Sequence, residues 1–334
     1  MQFAQSRLRY YTLSLHRDLP AGMVLFLLAL PLSLGVALAS GAPLVSGMIS
    51  AIIGGLIVSW ISGSQLSVSG PAAGLSFIVL HEIGDVGGFE PFLLAVLISG
   101  LIQIVLGLLK AGVLSAFLPS SVIRGMMVAI GIILIIRQIP HAIGTSLDLM
   151  GEETFFPMGA ESSFLVFEEA FASIALGPTT VALGSLLILS LWDSPVFGHR
   201  VITRMIPGGL IVVSWGILFH FLSIGTPFEI KDVHLVNLPE FKRPSEVLDY
   251  LSFPDFSRWL DPGIYSAALT IAVLGSLESL LSLEAVDKLD PLKRVAPPNR
   301  ELLAQGIGNL LSALIGGLPL TAVIVRSSAN VDAG

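Results

Sequence analysis

Arg326 is the seventh residue after Pro319 in an apolar stretch, Pro319-Leu-Thr-Ala-Val-Ile-Val, and the hydroxyls of Ser327 and Ser328 follow it. A guanidinium inside such a stretch costs at least about 2.5 kcal/mol in a bilayer, so it marks a candidate functional site. Glu278 lies in a second apolar run, Ala272-Val-Leu-Gly-Ser-Leu-Glu-Ser-Leu-Leu-Ser. On a helix it shares its face with Gly275 and Ser282, and Ser279 is adjacent, giving a small polar stripe. Ser69-Gly70-Pro71-Ala72-Ala73-Gly74 interrupts a third run and opens a helix too short to cross a membrane. Free N–H groups at such a helix start suit an anion. Gly70 and Gly74 allow close approach, and Pro71 at the helix start gives up only an N–H that had no internal partner. Together these residues suit a small anion held by helix ends and Arg326. Glu278 would then take a proton or a sodium ion, or balance Arg326 when no anion is bound.

The elements that must position them are membrane helices. Of the 334 residues 54% are hydrophobic and 12% charged, against roughly a quarter charged in soluble domains. Spans are predicted at 19–39, 43–61, 68–80 (short), 91–109, 113–136, 171–191, 202–222, 263–283 and 302–317, and a tenth begins at Pro319. The alternating short segments of a β-barrel are missing. The chain has no cysteine, which excludes disulfides and thiolate chemistry. It has no Gly-x-Ser-x-Gly elbow and no Walker loop, so no enzyme activity and no cofactor are expected. No basic patch points to nucleic acid.

Lys and Arg concentrate in alternate connections: Arg7, Arg9 and Arg17, then Lys110, then Arg200 and Arg204, then Lys288, Lys293, Arg294 and Arg300. Their positions put the N-terminus in the cytoplasm. Glu82, Asp85, Glu90, Asp148, Glu152, Glu153, Glu161, Glu168 and Glu169 fall on the opposite side, and Lys231, Lys242, Arg243 and Arg258 lie in a long link that constrains orientation less. Spans one to seven form one set and spans eight to ten begin another. Each set has two full helices and then a short, interrupted one. An odd number per set inverts the second against the first, which is the arithmetic of an inverted repeat with its binding site near the midplane. A second set of seven would need about four more spans after Gly334.

Other polar residues read as structural. His81 with Glu82 lacks the second His of a zinc helix, and His141, His199 and His220 sit at span ends. Glu284 and Asp287 lie past the end of span eight and are expected to face water. Gln103 and Arg124 are expected to make structural bonds. Gly54-Gly55, Gly308 and Gly316-Gly317 allow close helix packing.

The motifs Leu19-Pro-Ala-Gly-Met-Val, Ala29-Leu-Pro-Leu-Ser-Leu-Gly-Val-Ala, Ser40-Gly-Ala, Ser69-Gly-Pro, Gln305-Gly-Ile-Gly-Asn and Gly316-Gly-Leu-Pro, taken in order, resemble the SulP family of inorganic anion transporters. The resemblance runs from about Leu15 to the end. It implies an all-α polytopic membrane protein with a seven-plus-seven inverted repeat, like that of uracil transporters. About ten spans are present, with short half-helices three and ten. It also implies an anion held by Ser69, Gly70, Pro71 and Ala72 on one side and by Val325, Arg326 and Ser327 on the other. Glu278 and Ser282 correspond to an aspartate and a threonine of sodium-dependent bicarbonate members. The longer carboxylate, with Val323 and Ile324 across from it, fits a proton better.

The resulting expectation is a secondary active transporter of a small oxyanion, sulfate or bicarbonate, coupled to H+ or Na+, working by elevator-like movement in the cytoplasmic membrane as a homodimer. Its parts would be an N-terminal segment (1–18), core spans one to four (19–112), gate spans five to seven (113–222), an extracytoplasmic connection (223–262) and core spans eight to ten (263–334). A nucleobase carrier of the same fold, a passive anion channel, and an inactive fragment or scaffold are the alternatives. A nucleobase carrier would leave a cation beside the site unexplained.

Overall fold

Four helices among the described residues are long and apolar enough to cross a membrane, at 18–39, 44–61, 89–108 and 262–289. The structure, a computed structural model, describes residues 2–113, 174–192, 208–231 and 250–333, isolated positions between 121 and 144, and residues 194 and 235; for residues 2–17 it describes the backbone alone. Most of the predicted fifth span, including Arg124, the acidic residues from Asp148 to Glu169, and His199, Arg200, Arg204, Lys242 and Arg243 lie outside the described residues.

The elements are α1 (Gln2–Ala39), α2 (Leu44–Ile53, continuing through a π turn to Ile61), β1 (Ser69–Pro71), α3 (Ser76–Asp85, entered through a 3-10 turn at Ala73–Leu75), α4 (Phe89–Leu108), α5 (Leu176–Trp192), α6 (Gly208–Ser223), α7 (Pro262–Leu289), α8 (Pro298–Leu314), β2 (Leu320–Ala322) and α9 (Ile324–Asp332). α1 begins well before the predicted span at Leu19 and contains Pro20 and Pro31. α7 starts on a cap legible in the sequence: the Asp261 side chain accepts from the Gly263 N–H at 2.9 Å, and Pro262 occupies the first turn.

The chain divides into two compact units, Met1–Gly125 with Glu240–Gly334, and Met126–Pro239. In the first, α4 and α8 meet backbone to backbone: a Cβ on Gly100 would lie 2.7 Å from the Gly306 carbonyl oxygen, and one on Gly306 would lie 2.7 Å from that of Gly100. Around this crossing sits an apolar core that includes Phe92, Ile264, Ile271 and Leu318. In the second unit, α5 and α6 pack through Gly184 against Trp215, whose ring lies 5.5 Å from that of Phe219.

The segments at Ser69 and Pro319 do not open helices directly. Each first runs extended for three residues, and the two strands pair antiparallel with Ser69 opposite Ala322, Gly70 opposite Thr321 and Pro71 opposite Leu320. The pairing continues at Val323 N to Val68 O (3.0 Å). Two chains ending inside an apolar interior must satisfy their backbone groups, and pairing with each other does so before either helix begins. Pro71 therefore sits in a strand, and the helices start at Ala73 and Ile324. Gly54 lets this strand pair come close to α2, since a Cβ there would lie 2.6 Å from the Ser69 carbonyl carbon.

Candidate functional site

Side chains alternate across a strand, so the pair β1/β2 has two faces with different work. Gly70 and Thr321 share one. There the Arg326 guanidinium lies directly over Gly70: a Cβ on Gly70 would collide with Nη1 and lie 2.9 Å from Cζ. Arg326 is in the first turn of α9 and only 2% exposed. Its Nη2 donates to Ser33 Oγ of α1 at 3.1 Å, and it makes no ion pair among the described residues. A cation in a helix's first turn opposes the helix dipole. The place thus gathers positive potential from Arg326 and from the start of α9, with no carboxylate in ion-pair contact with the guanidinium among the described residues. The Thr321 hydroxyl, fully buried on this face, has no hydrogen-bond partner among the described residues.

Glu278 comes to the other half-helix. A Cβ on Gly74 would lie 2.8 Å from its Oε1, and the carboxylate accepts the Gly74 backbone N–H. It caps the helix that β1 leads into and does not pair with Arg326, although the sequence left that pairing open. Ser282 is buried one turn further along α7, and Ser279 accepts the Ala322 N–H at 3.3 Å.

The remaining predicted residues are placed as follows. Ser69 turns to the opposite strand face, where its hydroxyl accepts from Gln305 Nε2 at 2.7 Å. Ser327 has its hydroxyl taken up by the backbone, accepting from Val68 N (2.9 Å) and donating to Val323 O (2.8 Å). Val325 is 59% exposed, while Ala72 and Pro71 are buried. Of the predicted set, Gly70 and Arg326 are brought together across the strand pair.

What fixes the strands is a polar stripe on α8 that the sequence reading did not single out as functional. Asn309 accepts the Leu320 N–H (2.5 Å) and donates to the Leu320 carbonyl (3.2 Å), as a third strand would, and also donates to Gln103 Oε1 (2.7 Å). Gln305 donates to Ser69 and to Glu301 Oε1 (2.8 Å), and Ser62 donates to Glu301 Oε2. The signal was available: Glu301, Gln305 and Asn309 recur every fourth residue, which puts three polar groups on one face of an apolar helix.

Two cavities lie elsewhere in the first unit. One, of about 200 Å3, is lined by Gly63, Gln65, Asp287, Asp290, Arg294 and Ala296 among others; the second, of about 460 Å3, includes Gly88, Glu90, Asp255 and Arg258. Neither touches Arg326. At the first, hydrogen bonds from Arg294 (Nε to Asp290 Oδ2, 2.6 Å) hold the Asp290 carboxyl down at about 2. Asp287, predicted to face water, accepts the Ala296 N–H at 3.0 Å and lines the same cavity.

The family model described as the sulfate permease family matches residues 15–334. The chain belongs to the sulfate permease family. Among curated members it is 28% identical to YvdB of Bacillus subtilis, a candidate sulfate transporter, over all of this chain and 59% of that one. It is 27% identical to the bicarbonate transporter BicA of Picosynechococcus, over 95% of this chain and 53% of the relative. The chain thus spans a little over half the length of these curated family members. The solved transmembrane domain of a cyanobacterial BicA superposes with a TM-score of 0.74 at 24% identity, covering 96% of this chain and 77% of that one. The fold is accordingly that of an all-α polytopic permease-family membrane domain, with one short strand pair among the described residues.

Proposed function

We propose that the protein is a secondary active transporter of a small inorganic oxyanion, of the sulfate or bicarbonate class. The observation that carries this reading is Arg326: a buried guanidinium over Gly70 in the first turn of α9, with the Ser33 hydroxyl as hydrogen-bond partner and, among the described residues, no carboxylate in ion-pair contact. An oxyanion supplies the missing charge and accepts from several donors at once. Gly70, Ala72 and the backbone N–H groups opening α9 complete the seat, while Ser69 and Ser327 hold it in shape.

Glu278, with Ser282 a turn away, is the coupling position for a proton or sodium ion. Elevator-like movement of a core against a gate, a homodimeric assembly and a cytoplasmic-membrane location with the N-terminus inside belong to the same reading. The family membership supports them, as do the two compact units, whose limits fall near the expected core and gate.

The test is uptake of labelled sulfate and of bicarbonate by the full-length protein in proteoliposomes, with sodium and pH gradients imposed in turn. Arg326→Ala is expected to lower uptake at least about 100-fold, the loss of roughly 3 kcal/mol of charge-assisted binding, while the protein still inserts. Undiminished uptake by that variant would overturn the reading.

A further inference from the structure

A second carboxyl lies in the core, away from Glu278, and nothing in the proposed cycle uses it. Glu301 in the first turn of α8 is fully buried, accepts from Ser62 and Gln305, and has no ion pair among the described residues. The charged groups around it are accounted for. Arg300 directs its Nε to the Ile61 carbonyl at 2.7 Å. Arg294, from the link after α7, is tied to Asp290 and Gln65. Lys110, past the end of α4, is exposed. α2 and β1 carry no charged residue. The one charged group of α7 that acts on Glu301 is an acid, Asp287.

Buried charge without a counter-charge is costly, and protonation removes the cost. The hydrogen-bond chain admits both states. With Glu301 ionised, the Gln305 amide presents Nε2 to Glu301 and to Ser69, and its Oε1, which has no partner, points away. With Glu301 protonated, the amide turns over and its Oε1 accepts from the carboxyl O–H and from the Ser69 O–H. The same heavy atoms serve both arrangements, because amide O and N are interchangeable in shape. Asp287 lines the 200 Å3 cavity together with Gly63, the residue next to Ser62. The cavity thus lies one residue along the chain from Ser62, which donates to Glu301.

The geometry points to Glu301 as a second proton-binding site, loaded from the Asp287 cavity and read out through Gln305 at Ser69, where β1 begins. This inference rests on the transport reading for its consequence: a proton there reverses the hydrogen bond that anchors β1, so anion exchange acquires a pH dependence that persists without a gradient.

Two measurements on the full-length protein separate it from that reading. In infrared difference spectra between acid and alkaline buffers, the Glu278→Gln protein, which lacks the coupling carboxyl, should lose a protonated-carboxyl C=O band on alkalinisation. That band should be absent when Glu301→Gln is added to Glu278→Gln. This arm needs no transport, so a protein that moves no anion would sink the transport reading and leave Glu301 to be judged by its band. In sulfate-for-sulfate exchange at equal pH on both sides, wild type should change by about tenfold per pH unit along its limb. Glu301→Gln, which keeps an acceptor for Ser62, should stay within about twofold. A band that persists in the double variant, or an unaltered pH profile in Glu301→Gln, overturns the proposal. If Glu301→Gln does not fold, Ser62→Ala must shift the same band, and an unshifted band is equally decisive against it.

Discussion

The two strand-to-helix segments, 69–85 and 320–332, have the same backbone plan and opposite chemistry. The first supplies space: Gly70 and Gly74 are bare where Arg326 and Glu278 come down on them. The second supplies charge, with Arg326 in its first turn, and has no glycine between Leu320 and Ala333. An inverted repeat therefore did not yield two equal halves of a site. Each ionisable group seats on backbone that only a glycine leaves uncovered, and the two groups end on separate positions of the same segment, one over β1 and one at the start of its helix.

That contrast breaks most sharply at Gly70. Its φ lies outside the left-handed region, so Gly70→Ala is opposed by Arg326 and not by the backbone. We expect anion uptake to fall at least about tenfold, with about 1–3 kcal/mol of overpacking. In an Arg326→Ala background the same change should cost little further in thermal stability, and equal costs in both backgrounds would show that the guanidinium is not what Gly70 accommodates. Glu278→Gln tests the other seat. The amide oxygen still accepts the Gly74 N–H, so anion-for-anion exchange should stay within about twofold while dependence on a pH or sodium gradient disappears. Persistent gradient dependence would remove Glu278 from coupling.

The smallest effect is expected far from both seats, at Asp290. Its folded value, about 2, lies below the unfolded value of about 3.9, so the Arg294 contact stabilises the fold above pH 4 and ceases to do so as pH falls through 2. Thermal melts of Asp290→Asn should therefore lie below wild type at pH 7 and converge with it near pH 2. A gap unchanged with pH would mean that the contact contributes through packing.

Much of this was legible beforehand. Hydropathy located the long apolar helices at 18–39, 44–61, 89–108 and 262–289, and the Gly-Pro interruptions located the two segments that pair as strands. Arg326 stood out because charge is rare in apolar sequence. The strand pair was not legible, because Ser69–Pro71 and Leu320–Ala322 are three residues each, and their pairing joins segments some 250 positions apart. Strand alternation then decided what hydroxyl counting could not, turning Ser69 to α8 while Thr321 stays on the Arg326 face. The stripe Glu301, Gln305, Asn309 was overlooked because its polar groups act on backbone and on one another, so it reads as an ordinary helix unless spacing is weighed with apolar surroundings.

The contact between Gly100 and Gly306 has a mechanical consequence. Where main chain rests on main chain there is no rotamer to give way, so α4 cannot creep past α8 by small adjustments. Since α8 grips β2 through Asn309, displacement of the Arg326 seat drags α4 along with it, and the freedom such a machine needs must be sought at loops and hinges, outside this rigid joint.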